Sequence, residues 1–119
     1  MKFTKEHEWA KLDGNVITVG ITEYAAHQLG DVVFVELPAN GSKVTMGKTF
    51  GTIESVKTVS DMYAPVSGEV VETNGELEGN PALVNESPMD AGWIVKIKVA
   101  DSKEYDTLLS EADYKKICE

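Results

Sequence analysis

The run from Thr49 to Ala64 constrains this chain more than any other stretch. Thr49 to Ile53 reads as a strand, and Met62 to Val66 leads into a turn at Ser67-Gly68. Taken as a single strand, Thr49 to Ala64 is far longer than the usual five or six residues or so. The polar middle, Glu54-Ser55-Val56-Lys57-Thr58-Val59-Ser60-Asp61, must therefore break or reverse it. A hairpin with Lys57 held out at its tip is the working solution. The segment contains neither Asn-Gly nor Asp-Gly. Periodicity does not choose between a turn at Lys57 and one at Ser60-Asp61.

The rest of the chain has the same short, punctuated rhythm. His7 to Leu12 is a strand with Trp9 as anchor, and Asp13-Gly14 is a strong hairpin signal before Val16 to Ile21. Thr22 has the character of an N-cap for a helix from Glu23 to Leu29, with Gly30 as its stop. Val32 to Leu37 is an almost continuous apolar strand, expected to be buried on both faces. Pro38 to Gly41 turns, Ser42 to Met46 is a short strand, and Gly47-Lys48 bends. Glu69 to Thr73 is a further strand, closed by Asn74-Gly75. Glu76 to Glu86 is mixed, with one helical turn at Pro81 to Val84. Beyond Asp90-Ala91-Gly92, the strand Trp93 to Val99 puts Trp93, Val95, Ile97 and Val99 on one face. Asp101 and Glu104 resemble a capping box for a helix through Leu109, and Ser110 caps another from Glu111 to Ile117. The pattern implies an all-β core of sandwich or barrel type with appended helices, in one domain spanning 1–119 without a linker.

Charge and composition limit what such a domain can do. Eleven basic residues, all lysine, face 20 acidic ones, for a net charge of −9. A chain without arginine and without a positive patch is not built for nucleic acid. An acidic surface instead steers toward positively charged partners. No apolar run approaches the roughly 20 residues that span a bilayer. The N-terminal residues lack an apolar signal, so a cytoplasmic location is expected, or the mitochondrial matrix if a presequence has been removed. Cys118 is the sole cysteine, which excludes a disulfide framework and a thiolate metal cluster. His7 and His27 are the only histidines and neither sits near a nucleophile motif. Self-sufficient catalysis is therefore not expected. An exposed lysine is almost wholly protonated at neutral pH, and the nearby Glu54 favours the ammonium further. Lys57 is poorly suited to catalysis but well suited to presentation to an enzyme that modifies it.

Residues 54–57 (Glu-Ser-Val-Lys), followed by Ser60-Asp61 and Tyr63-Ala64-Pro65-Val66-Ser67-Gly68-Glu69-Val70, closely resemble the lipoyl-attachment region of the glycine cleavage system H proteins. The resemblance extends to His7-Glu8-Trp9, Val19-Gly20-Ile21-Thr22, Leu29-Gly30-Asp31, Val35-Glu36-Leu37-Pro38, Leu83-Val84-Asn85, Gly92-Trp93, Lys96-Ile97-Lys98 and Tyr114 to Cys118. It implies a mainly β, lipoyl/biotinyl-type flattened barrel-sandwich of two small sheets, with a short internal helix and C-terminal helices. It also implies lipoic acid in amide linkage to Lys57, at a turn placed at Val56-Lys57, with Glu54 read by the lipoate-attaching enzyme. The chain departs from the family at Thr58, where alanine is usual. At Gln28 many members carry a histidine, and here His27 lies one place earlier.

By the same resemblance, the arm shuttles an aminomethyl group from the pyridoxal-phosphate glycine decarboxylase to the tetrahydrofolate-dependent aminomethyltransferase. Dihydrolipoyl dehydrogenase then reoxidises the dithiol. The chain would be a monomeric carrier of glycine catabolism and one-carbon metabolism rather than an enzyme, since the cofactor brings the chemistry and the protein supplies position. The aminomethyl thioether is labile to water, so the loaded arm is expected to fold against the body, its ammonium near Glu8 and Asp61. Two alternatives share the fold: an H-like protein that mainly relays lipoate, and a non-catalytic adaptor. A biotin carrier is disfavoured because Val56 and Thr58 stand where it has methionines. A lipoyl domain of a 2-oxoacid dehydrogenase would normally sit in a longer chain with flexible linkers.

Overall fold

The computed structural model describes residues 1–118. A short β1 (Lys2–Phe3) lies along β2 (Glu8–Asp13), which Asp13-Gly14 turns back into β3 (Val16–Ile21). Gly14 has φ +66, the left-handed backbone that a tight hairpin of this kind demands. Helix α1 (Glu23–Leu29) follows, started by the Thr22 hydroxyl, which accepts the Ala25 N–H at 3.2 Å. The chain continues through β4 (Val32–Glu36), β5 (Lys43–Val44), β6 (Thr49–Ser55), β7 (Val59–Tyr63) and β8 (Gly68–Thr73). The short helices α2 (Glu76–Gly79) and α3 (Leu83–Glu86) precede β9 (Val95–Val99), and α4 (Ser102–Asp106) and α5 (Glu111–Cys118) close it.

The strands form two antiparallel sheets, one ordered β1-β2-β3-β9-β8-β5 and the other β4-β6-β7. The mainly β, two-sheet architecture expected from the sequence is the one observed, although one of its sheets has six strands. Alternation along each strand sends Ile17, Val19, Ile53, Met62, Val70 and Ile97 into a shared core, where each is nearly fully buried. Each such side chain contributes roughly 1.5–3 kcal/mol by leaving water. A second cluster, Phe3, Trp9 and Tyr114, fastens α5 to the edge of the large sheet. There the Phe3 and Tyr114 rings stack at 4.7 Å, and the buried Trp9 indole N–H donates to the Pro88 carbonyl at 2.9 Å. Gly20 lies under that indole: a Cβ there would stand 2.7 Å from the ring.

Four local expectations are revised. β4 is not buried on both faces: Val33 and Phe34 are 47% and 52% exposed, because the ladder shifts between Val32 and Phe34 and this stretch turns to solvent. Trp93 stands before β9 rather than on its inner face. Ile94 takes the buried place, and the Lys96 ammonium sits over the Trp93 ring at 5.2 Å. The 76–86 segment holds two short helices, with Pro81 just ahead of α3. Asp101 caps α4 through the Lys103 N–H, but Glu104 does not close the box; its carboxylate accepts from the Ser67 N–H and hydroxyl at 2.8 and 3.1 Å. That contact ties α4 to the start of β8. Among the described residues, no helix is long and apolar enough to cross a membrane.

Candidate attachment site

The ladder between β6 and β7 runs to Glu54 opposite Val59, and the Ser55 N–H then donates to the Thr58 carbonyl at 2.8 Å. Two residues, Val56 and Lys57, are left to reverse the chain. Neither has positive φ, so the tip is not the Asn-Gly type of turn. Ser55 replaces it. Its Oγ, on a residue only 6% exposed, accepts the N–H groups of Lys57 and Thr58 at 3.2 and 3.1 Å. A serine hydroxyl that bonds backbone two and three residues on is a turn device in its own right. The tip is also docked, since the Val56 N–H donates to the Asp31 carbonyl at 3.0 Å.

Lys57 is exposed, and its side chain passes over Gly30, the residue that ends α1. Gly30 has φ +76 and ψ −161, a backbone region that side chains do not tolerate. A Cβ there would lie 2.7 Å from the Lys57 Cε. Asn85, on α3, holds this cradle in place. Its amide N–H donates to the Gly30 carbonyl, and its Oδ1 accepts the Val32 N–H, both at 2.8 Å.

Beside the cradle runs a groove of about 310 Å3, walled by Leu29, Ile53 and Met62 and carrying Glu8, Asp61 and Gln28. Glu8 and Asp61 both line this groove although 53 positions separate them in sequence, Asp61 at its rim from the strand row that also holds Thr52 and Glu36. Asp61 is exposed at the rim, whereas Glu8 is 2% exposed. The Thr4 hydroxyl donates to the Glu8 carboxyl at 2.5 Å and the Tyr63 N–H at 3.2 Å. Burial raises the Glu8 pKa to about 7, with those two hydrogen bonds opposing and the neighbouring Glu6 charge adding to the rise. Glu8 therefore changes charge near neutrality, in a water-poor pocket.

Glu54 is not part of this groove. It points from the outer face of the small sheet, in one row with Phe34 and Val59. His27 is exposed on the other side of α1, in a cleft with Glu23, Asp31 and Glu86, while Gln28 faces the groove. One step along a helix rotates a side chain by about 100°, so His27 does not stand in for a histidine at position 28. His7 does line the groove. It holds φ +70, its Nδ1 lies 2.7 Å from the Tyr114 hydroxyl, and its ring packs on Tyr24 at 4.7 Å. Burial pushes its pKa down, with Glu6 opposing. Among the described residues, no group of three or more His, Cys, Asp or Glu side chains could hold a metal ion. Sequence reasoning missed Ser55, Asn85 and the strained His7. Of these only Ser55 carries a local signal, a serine immediately ahead of a turn.

A six-stranded and a three-stranded antiparallel sheet closed on one core, with a lysine at the tip of a docked hairpin, define a lipoyl-domain-type carrier fold. The crystal structure of a glycine cleavage system H protein from Mycobacterium marinum has this fold, with a TM-score of 0.86 and 37% identity, over 97% of this chain and 93% of that one. The family model described as glycine cleavage H-protein matches residues 1–119. The glycine cleavage system H protein of Staphylococcus haemolyticus (strain JCSC1435) is 56% identical over 117 residues, 98% of this chain and 93% of that protein. That of Staphylococcus epidermidis (strain ATCC 12228 / FDA PCI 1200) is 56% identical over 113 residues, 95% and 90%. The chain belongs to the glycine cleavage H-protein family. Proteins of this family carry lipoate covalently on a lysine and serve the glycine cleavage system as its lipoyl carrier.

Proposed function

We propose that Lys57 is the lysine that bears the lipoyl group and that the groove ending at Glu8 receives the loaded arm. The observation that carries this reading is the Lys57 side chain itself, exposed at a turn locked by Ser55 and lying over a glycine that leaves it room. When bound, the lipoyl group would supply a cyclic disulfide that opens to take up an aminomethyl group, and the dithiol left once that group has been passed on would be reoxidised. The chain's own residues do the rest. Ser55 and the Val56 contact to Asp31 aim the arm. Leu29, Ile53 and Met62 keep water from it. Glu8 and Asp61 hold the cargo ammonium through charge-assisted hydrogen bonds. A cation beside Glu8 draws its carboxyl to the ionised form, so parking releases a proton to solvent below about pH 7.

No residue of the chain acts on the substrate bond in this reading. The chain is a single carrier domain over 1–119, working as a monomer. The pyridoxal-phosphate glycine decarboxylase, the tetrahydrofolate-dependent aminomethyltransferase and dihydrolipoyl dehydrogenase act on the arm in turn, after a lipoate-attaching enzyme has read Glu54. The bacterial sources of the relatives favour the cytoplasm. Reconstitution with those enzymes tests the assignment. Glycine-dependent release of carbon dioxide is expected with the lipoylated protein and not with Lys57→Arg. No release with the lipoylated protein would favour lipoate relay instead. Formaldehyde escape from the loaded carrier should quicken in Glu8→Ala, and an unchanged rate would remove Glu8 from the parking site.

A further inference from the structure

The outer face of the small sheet carries exposed apolar side chains that the groove does not account for. Phe34, Glu54 and Val59 pair directly across β4, β6 and β7, so they form one row over all three strands. Phe34 is 52% and Val59 63% exposed, and Val56 at the tip is 68% exposed. The next row is Glu36, Thr52 and Asp61, with both carboxylates in solvent. Phe34 and Val59, left in water on either side of Glu54, with Val56 exposed at the tip, are not explained by the fold, whose core lies on the other side of this sheet. Exposed apolar anchors beside charged groups are the anatomy of a docking surface.

We propose that this row is the surface through which the lipoate-attaching enzyme grips the protein, and that the enzyme meets it with apolar contacts for Phe34 and Val59 on either side of a lysine or arginine facing Glu54. The proposal rests on Lys57 being the attachment site. Reach selects this partner over the glycine-cleavage enzymes. They act on the far end of an extended arm, whereas the attaching enzyme must bring its active site to Nζ itself, one side chain from the tip. The row begins two residues from Lys57 on β7 and three on β6, so a body engaging the bare lysine from this side cannot avoid it. Charge points the same way: Glu54 lies between the anchors and Glu36 and Asp61 lie in the next row, on a chain of net charge −9. The reaction joins Nζ to the acyl carbon of an activated lipoyl donor. The activating group leaves with the electrons of its bond, and the amine proton passes to the enzyme or to solvent.

The test uses full-length unlipoylated protein, the lipoate-attaching enzyme of the same organism and an activated lipoyl donor, with product followed by intact mass. Phe34→Lys and Val59→Lys should each lower kcat/KM at least tenfold, mainly through KM, with Phe34→Ala intermediate. Val71→Lys, at a 42% exposed site on the other sheet, should stay within twofold. Circular dichroism and thermal unfolding establish that each variant is folded, and the milder Phe34→Ala keeps the measurement open if a lysine variant is not. Once lipoylated by prolonged incubation, Phe34→Lys should support glycine decarboxylation within twofold of the parent. Lipoylation of Phe34→Lys and Val59→Lys at the parent rate would overturn the docking surface while leaving Lys57 as the site. So would equal losses in Val71→Lys, and an equal loss in glycine decarboxylation would overturn the choice of partner. A parent protein that takes up no lipoyl group at Lys57 would instead overturn the attachment site itself.

Discussion

Ser55 performs at this hairpin tip the task that glycine or asparagine performs in most two-residue hairpins. With Val56 and Lys57 both at negative φ, the Lys57 and Thr58 N–H groups need an acceptor, and the Ser55 Oγ supplies it from a nearly buried position. Ser55→Ala removes that acceptor and should cost about 1–2 kcal/mol in urea unfolding. It should also slow lipoylation, because Lys57 would no longer be presented at one fixed angle; an unchanged midpoint and rate would contradict this role. Glu8 makes a prediction of opposite flavour. Its folded pKa of about 7 lies above the ordinary 4.5, so between those values the folded protein holds a proton that the unfolded chain has released. Its contribution to stability is therefore greatest below about pH 4.5 and falls as pH rises toward 7. Glu8→Gln should abolish that slope, so that going from pH 4 to pH 8 the variant gains about 3 kcal/mol relative to the parent. A parallel pH profile for the two proteins would place the Glu8 carboxyl in water.

At the scale of elements, the site is a junction: the β6–β7 hairpin tip, the end of α1, the start of β4 and α3 meet around Gly30. Gly30→Ala puts a side chain where φ is +76 and where the Lys57 Cε already lies. It should destabilise the fold by about 1–3 kcal/mol and displace the Lys57 side chain, seen as a changed amide shift at Lys57 with the β6–β7 ladder intact. Wild-type stability in that variant would mean that the cradle is unimportant. Much of this junction was legible beforehand. Thr22, the 23–29 helix and the Gly30 stop are local signals and stand as read, because capping acts within a turn of sequence. The strands are legible as β-branched or apolar runs between turn signals, with alternation explicit only in 93–99, and the reversal within 54–61 follows from excess length. Asn85 was not legible as a clamp, since its partners lie on other elements and nothing in 83–86 distinguishes it. Phe34 misled for a related reason. An apolar run says that a strand is sticky and not which surface it meets, and the shift between Val32 and Phe34 turned it outward. Glu104 satisfied a local pattern but found better partners at Ser67.

On the scale of the whole molecule, the Phe3–Trp9–Tyr114 cluster packs at the large sheet, and the small sheet carries the hairpin with Lys57 at its tip. The tip, the groove and the exposed Phe34–Glu54–Val59 row all sit on or beside β6 and β7, so the attachment, parking and docking proposed above all fall on one hairpin. The protein's net charge of −9 becomes −10 when the Lys57 ammonium is converted to an amide, a change visible on native electrophoresis. Every role proposed for the hairpin depends on that conversion. The measurement that tests it most directly is the intact mass of the protein isolated from lipoate-replete cells of its own source, beside Lys57→Arg prepared in the same way. A lipoyl adduct on the parent and none on the variant is the expected result. An adduct that persists in Lys57→Arg, or a parent that stays unmodified, would contradict it.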